Sequence, residues 1–591
     1  MTAKPRIIQR PGDLVAAGAL AVLATAADMI RSTTGLTPDP AYLAHWLMYA
    51  AAFWICLRLA SAALDWLSAD DGTDEATGTP APASLATSAP TATPAPLFDI
   101  PTTYRPAGIA STATALLACW SPWLILLYPG VIWYDSRQQL LQYFGLRNVF
   151  TNGGLSDHHP VFDTMLYGSF VRFGQWVGSA DLGAWLFTVV QAAATACALA
   201  AALTLIRRCG ASRRCVLATA AVLAFWPQVP VYAAAMAKDA TFLPFLLAFS
   251  VMAVEAMRSH GGAFARPPFA LGFLAAAALM CLTRKTGLIM MLLIAAAVFV
   301  AVRGVKARVQ VAGTAFACVA LMAVVMPAVV LPALGAVPGG RQEALGLMFQ
   351  QSARLLRDHG DDVPDWQRST IRATLGDDVE NRYSWWMTDT VKDETIDRQD
   401  TLARMMPAYA KAWAAGLAEH PGSYVQTYLA VEIGWYAVPV LNDGNTVMYL
   451  TPIDGHETDH TFAGSTSIGF VWSDTTIGQA LENTISWFQS TPLGMIVGAK
   501  AFWSTWALAF LLLECRRRAP DRLPWLMPLV AANLVLWISP TSVTREAMRY
   551  LLPMFFLMPI TVALIAGAGP TSEPTRKRQP EFTLRRTVRH S

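Results

Sequence analysis

What most constrains this chain is a recurrence of apolar runs, each close to the roughly 20 residues that a helix needs to cross the hydrocarbon core of a bilayer. Twelve can be read, at 14–30, 42–64, 109–128, 182–206, 216–236, 240–257, 269–283, 286–302, 309–331, 494–513, 523–538 and 550–565. Composition agrees, with 54% hydrophobic and only 14% charged residues, where soluble domains carry about 25% charge. The fold class expected is an all-α polytopic membrane protein of about twelve transmembrane helices.

The basic residues fix a direction, because Lys and Arg mark cytoplasmic loops. With the N-terminus inside, the even-numbered spans deliver Arg207, Arg208, Arg213 and Arg214, then Arg258 and Arg266, then Arg303, Lys306 and Arg308, then Arg516, Arg517, Arg518 and Arg522 to the cytoplasm. The tail, with Arg576, Lys577, Arg578, Arg585, Arg586 and Arg589, also lands there. Lys4, Arg6 and Arg10 ahead of the first apolar run resemble a secretory leader, but a second long span follows and a retained first helix is expected. Multi-pass residence in a cell membrane, both termini cytoplasmic, follows from this pattern.

The same pattern divides the chain. Residues 1–65 form a transmembrane hairpin, and 66–107, rich in Ala, Thr, Ser and Pro, read as a disordered cytoplasmic linker. Residues 108–334 form a transmembrane core with a first outer loop at 129–181; 493–567 hold the last helices and 568–591 the basic tail. Between them, 335–492 carries 10 Lys and Arg against 21 Asp and Glu, a net −11 in a chain of net +3. This acidic stretch, with amphipathic patterns at 341–359 and 401–419, is expected to be a mainly helical extracytoplasmic domain. An aromatic stretch at 422–438, interrupted by Glu432, reads as a helix along the membrane surface. The loop at 442–462, with Asp443, Asp454, His456, Glu457, Asp459 and His460, reads as a solvated loop or a metal or sugar loop. The charge split argues against nucleic acid as a partner. No GxGxxG or GxxxxGK[ST] loop is present, so no nucleotide cofactor is expected. None of the eight cysteines lies in the acidic stretch or in a zinc spacing.

Two strings in the first outer loop carry chemistry. YPGVIWYDS places Asp135 after interfacial aromatics, where partial desolvation would raise its pKa towards that of a general base; the alternative is a helix N-cap at Asp135 or Ser136. Further on, SDHHP brings Asp157, His158 and His159. In an extended segment Asp157 and His159 share a face, and with Asp135 they could hold Mg or Mn; otherwise Asp157 opens a turn and the histidines make ordinary hydrogen bonds. Three short outer connections then carry Lys238-Asp239, Arg284-Lys285, and Arg545 with Glu546 and Arg549. Cations there oppose the topological bias, and the ligand that suits them is a phosphate or pyrophosphate at headgroup level. Snorkelling towards lipid headgroups is the plainer reading of any single one. A helix break at FWPQVP, residues 225–230, needs neighbouring groups to take up its freed carbonyls.

The order of these features resembles the GT-C superfamily of membrane glycosyltransferases, in which an aspartate just after the first core helix is catalytic or metal-binding. Asp135 holds that place, and Asp157-His158-His159 looks like the second acidic motif, here within the same loop. More narrowly, YPGVIWYDSRQQ, DHHP, MAKDATF, LTRKTG, FQQSARLLRDHGDD, HPGSYVQTYL and REAMRYLLP are similar to a bacterial family of multi-spanning proteins of unassigned function, from about residue 109 to 565. No acceptor signature such as WWDYG is present. The resemblance implies transfer of a sugar from a polyprenyl-phosphate donor to a glycan, lipid or protein acceptor of the cell envelope. Asp135 would act as base, Asp157 and His159 would position a metal or the sugar, and Lys238, Arg284, Lys285, Arg545 and Arg549 would hold the lipid phosphate. The same residues also suit a flippase for lipid-linked sugars, or a non-catalytic envelope-assembly protein.

Overall fold

The computed structural model describes residues 11–33, 35–37, 39–69, 100–440, 443–448, 462–472, 476–539 and 545–568, without the side chains of 33, 477–479, 481–482 and 545–547. Most of the expected linker, the 449–461 part of the acidic loop with Asp454, His456, Glu457, Asp459 and His460, and the basic tail lie outside these residues.

Seven of the described helices are long and apolar enough to cross a membrane: Pro11–Ser32, Ala41–Ser68, Pro106–Leu126, Ala180–Arg208, Lys238–Arg258, Val305–Ala333 and Met548–Ala566. Pro267–Thr283 and Gly287–Ala301 are apolar but shorter. The remaining expected spans are each divided. Arg213–Phe225 stops at Trp226-Pro227 and resumes as Gln228–Ala233; Pro492–Gly498 is separated from the Ala507–Arg518 helix by a π-helical turn; and a 3-10 stretch, Pro520–Leu526, precedes Met527–Ile538. The molecule is an all-α polytopic membrane protein by these elements. Val305–Ala333 shows its character most openly, with Val309, Phe316, Val324 and Val329 all exposed.

The Ala180–Arg208 helix is the centre post. Its Ala-rich faces are buried along most of their length, and small side chains let neighbouring backbones come close. At Gly183 a methyl group would stand 2.4 Å from the carbonyl oxygen of Phe170, so only glycine allows Val161–Trp176 to fold back against this helix. Among its buried polar residues, Gln191 reaches across to the neighbouring segment. Gln191 donates to the carbonyls of Ala233 (3.0 Å) and Ala235 (2.8 Å), and Trp120 donates to that of Leu223 (3.1 Å). The Trp120 bond takes up the carbonyl that Pro227 sets free one turn earlier, and the Gln191 bonds hold the chain that follows the break.

The N-terminal hairpin is more than an appendage. Asp13 is paired with Arg58 and Arg517, Glu514 with Arg517 and Arg518, and Arg31 donates to the carbonyl of Val438. The acidic segment has its own core, in which Phe349, Leu355, Ile371, Leu402 and Tyr409 are fully buried. The amphipathic stretches form helices at Gly346–His359 and Gln399–Glu419. The aromatic stretch differs from a surface helix: Pro421–Val431 ends at Glu432, and Tyr424, Trp435 and Tyr436 are buried inside the protein. Its second aromatic face packs on Ala27, Ile30 and Trp537.

Candidate functional site

The site begins with four residues of parallel sheet. Val131 pairs with Ala235 and Ile132 with Met236. This register sets the helix that starts at Tyr134 beside the helical turn Lys238–Thr241. Gly130 makes the pairing possible: it has φ +116°, and a methyl group there would lie 2.3 Å from Thr188 Oγ1. Behind the turn, Tyr167 donates to Thr241 Oγ1 (2.8 Å), which donates to Gln191 Oε1 (2.7 Å). A single polar chain therefore holds both the proline break and the element bearing Lys238 and Asp239.

Asp135 is the hub of the site. Its Oδ2 accepts from Lys238 Nζ at 2.9 Å and from Arg549 Nη1 at 2.6 Å, and its Oδ1 stands 3.7 Å from His159 Nε2. Neither Asp135 nor Ser136 caps the helix: Trp133 is its N-cap residue and Asp135 lies in the first turn. The expected rise in the pKa of Asp135 is reversed. Burial does push it up, but Arg549, Lys238 and His159 outweigh burial and hold the carboxyl well below the usual carboxylate range. The sequence shows the aromatic surroundings of Asp135 but not the two cations, which come from elsewhere in the chain.

Lys238 Nζ also stands 2.9 Å from His159 Nδ1. Burial, and after it the Lys238 charge, hold His159 well below its ordinary pKa. A neutral imidazole bonded in this way accepts at Nδ1 and carries its proton on Nε2, facing Asp135. His158 stacks on Phe150 with ring centroids 4.1 Å apart, and burial lowers its pKa as well.

The expected metal set of Asp135, Asp157 and His159 does not assemble. A turn at Asp157-His158, fixed by bonds of residues 155 and 157 to Val337, replaces the extended geometry and sends the two side chains apart. Asp157 pairs with Lys285 at 2.9 Å, while the Lys238 ammonium occupies the space between Asp135 and His159. No group of three His, Cys, Asp or Glu side chains suited to a metal occurs among the described residues. The residues present do not fit a divalent ion, and no step is assigned to one.

Arg284, 7% exposed, pairs with Asp239, 1% exposed, at 3.2 Å, and lies between the rings of Phe242 and Tyr550. Asp135, His158, His159, Lys238, Asp239, Arg284, Lys285 and Arg549 all line one cavity of about 740 Å³. Asp157 reaches it only through Lys285, and the side chain of Arg545 lies outside the described residues. The opposite wall comes from the acidic segment: Glu343, Asp389, Lys392, Asp393 and Ile396. Lys392 bonds Glu343 and Asp389 at 2.9 Å each; burial lowers its pKa, but these carboxylates outweigh burial and raise it. Ile289, Val535 and Ile538 give the cavity an apolar edge.

Sequence reasoning missed this second wall, whose charges do not stand out in a segment full of charge. It also missed Gln191, signalled by a lone amide in an apolar run, and Asp163, which is fully buried with neither carboxylate oxygen hydrogen-bonded. Burial raises the Asp163 pKa well above the ordinary value, which favours its neutral form.

Fold and site together define a helical membrane protein with a largely buried, ion-paired carboxylate in a cavity where Lys238, Arg284, Lys285 and Arg549 face an acidic wall. The chain belongs to the DUF6020 family, a family of unknown function, which it matches over residues 150–579. No curated protein matches it, and no solved structure matches it. The match takes in Asp157, His159, Lys238, Arg284, Lys285 and Arg549, whereas Asp135 precedes it.

Proposed function

We propose that the protein is a membrane glycosyltransferase of the GT-C type that moves a sugar from a polyprenyl-phosphate donor to a cell-envelope acceptor. The observation that carries this reading is the meeting of one carboxylate, Asp135, with Lys238, Arg284, Lys285 and Arg549 on the wall of a single cavity. The cations suit a phosphate, and the apolar edge at Ile289, Val535 and Ile538 suits the first isoprene units of its lipid. With twelve spans and both termini cytoplasmic, the cavity opens to the outer face of a bacterial cell membrane.

In the reaction the acceptor hydroxyl oxygen attacks the anomeric carbon, and the bond from that carbon to the phosphate oxygen breaks. The electron pair leaves on the phosphate, whose growing charge Arg549, Arg284 and Lys285 stabilise. Asp135, an ionised carboxylate on the cavity wall, takes the hydroxyl proton. His159 orients Lys238, and the acidic wall receives the acceptor.

The test is product formation from a labelled polyprenyl-phosphate sugar in vesicles holding the full chain. Asp135→Asn should lower the rate by about 10²-fold or more; unchanged product would remove Asp135 as base. Donor crossing the bilayer with no product from the wild type would instead favour a flippase.

A further inference from the structure

We propose that Asp135 is the cavity's resident anion, filling the place of a phosphate between Lys238 and Arg549 until a prenyl phosphate enters and displaces it. This rests on the reading of the cavity as a phosphate-linked donor site and adds an internal competitor to it.

The geometry of Arg549 points this way. A guanidinium binds an oxyanion best as a fork, with two parallel N–H bonds to two oxygens. Here Arg549 meets Asp135 through Nη1 alone, Nη2 is turned to the Tyr550 hydroxyl at 3.1 Å, and Nε is buried with no hydrogen-bond partner. Lys238 uses the same carboxylate oxygen, Oδ2, so two cations share one atom of the anion. A carboxylate fixed to the backbone at residue 135 cannot turn its second oxygen to Arg549 while that oxygen faces His159 at 3.7 Å. A phosphate presents two free oxygens in a sugar-linked diester and three in a monoester, tetrahedrally spread, enough to meet the guanidinium and the ammonium separately. The site is thus built from donors that Asp135 leaves partly unused.

Exchange also has a catalytic consequence. While both cations are bonded to Asp135, its carboxylate is too well stabilised to accept a proton readily. Once the phosphate takes Arg549 and Lys238, the same carboxylate is left at the cavity wall with its proton affinity restored. The base is then competent only when a donor is in place, and the site is not armed without one.

The experiment is equilibrium binding of farnesyl phosphate to the detergent-solubilised full chain, with farnesol and inorganic phosphate as separate ligands. Asp135→Asn and Asp135→Ser should both bind farnesyl phosphate more tightly than wild type, on the order of tenfold, and farnesol no differently. The second variant guards against one substitution failing to fold, each being admitted by a cooperative melt. Equal tightening for inorganic phosphate would place recognition in the phosphate group itself; tightening for farnesyl phosphate alone would place it in a lipid-linked phosphate. Unchanged or weaker farnesyl phosphate binding in the folded variants would overturn the proposal. So would equal tightening in Asp389→Asn, which removes a charge from the opposite wall and would reduce the effect to the general field. Tightening without any product from wild-type protein leaves the exchange standing and removes glycosyl transfer; product without tightening removes the exchange alone.

Discussion

Arg549 Nη1 lies 2.6 Å from Oδ2 of Asp135, a residue 414 positions earlier in the chain. The bond joins the first long loop to the foot of the last membrane-length helix. Removing one partner of a buried pair leaves the other charge uncompensated, which costs about 3–5 kcal/mol. Asp135→Asn should therefore lower the melting temperature more than the double variant Asp135→Asn/Arg549→Gln, because the second substitution removes one of the two cations, Arg549 and Lys238, that the first leaves stranded. Thermal unfolding in detergent decides this, and additive losses would show that the pair is not coupled. The pH dependence has a definite sign. The folded pKa of Asp135 is depressed, so its stabilisation is present above the unfolded value near 4 and is lost as pH falls through the folded value.

Asp163 should behave in the opposite sense. Its folded pKa is raised, so the native state holds a proton that the unfolded chain gives up near pH 4. Stability then falls as pH rises from there towards the folded pKa. Asp163→Asn keeps the neutral shape without this penalty, so its melting temperature should gain on wild type between pH 5 and about pH 7. A constant difference across that range would mean that Asp163 is ionised in the folded protein.

Gln191 makes three bonds inside the centre post, to Ala233, Ala235 and Thr241. Gln191→Leu preserves much of the volume but takes from the Ala233 carbonyl its side-chain donor, at about 1–3 kcal/mol for a buried group left unsatisfied, while Ala235 keeps the Ala237 N–H and Thr241 keeps Tyr167 and the Ala237 carbonyl. A melting temperature lower by several degrees is expected, with a larger loss of product formation than of donor binding, since the element that moves bears Lys238. An unchanged melt would show that the segment after the proline break is held in another way.

Chelation provides a further check. Because the Lys238 ammonium stands between Asp135 and His159, transferase activity should be unchanged by EDTA and by added Mn or Mg. Loss of activity with EDTA and recovery with either ion would show that the loop rearranges to release Lys238.

The cations of the site were legible in the sequence for a physical reason. Lys238, Arg284, Lys285 and Arg549 sit in short connections where, with both termini read as cytoplasmic, positive charge is disfavoured, and the structure brings them to one cavity with Asp135. Two kinds of information were not legible. Asp157 and His159 are two apart, which aligns them only on an extended chain, and the turn that separates them is fixed by Val337, far along the sequence. The depressed pKa of Asp135 likewise depends on partners 103 and 414 residues away. The helix count shows a similar division. Seven long apolar helices stand out by length and composition, whereas the spans divided at Pro227 or by π and 3-10 turns are continuous only in their hydropathy.

The pairing of Val131–Ile132 with Ala235–Met236 runs through main-chain atoms between four buried side chains, so a change in chain length disrupts it directly. One residue inserted between Pro227 and Ala237 would shift the partner strand by a step and turn Lys238 from Asp135 towards the opposite face. The number of residues joining these strands to Asp135 and Lys238 is thus as much a part of the site as the side chains that line it.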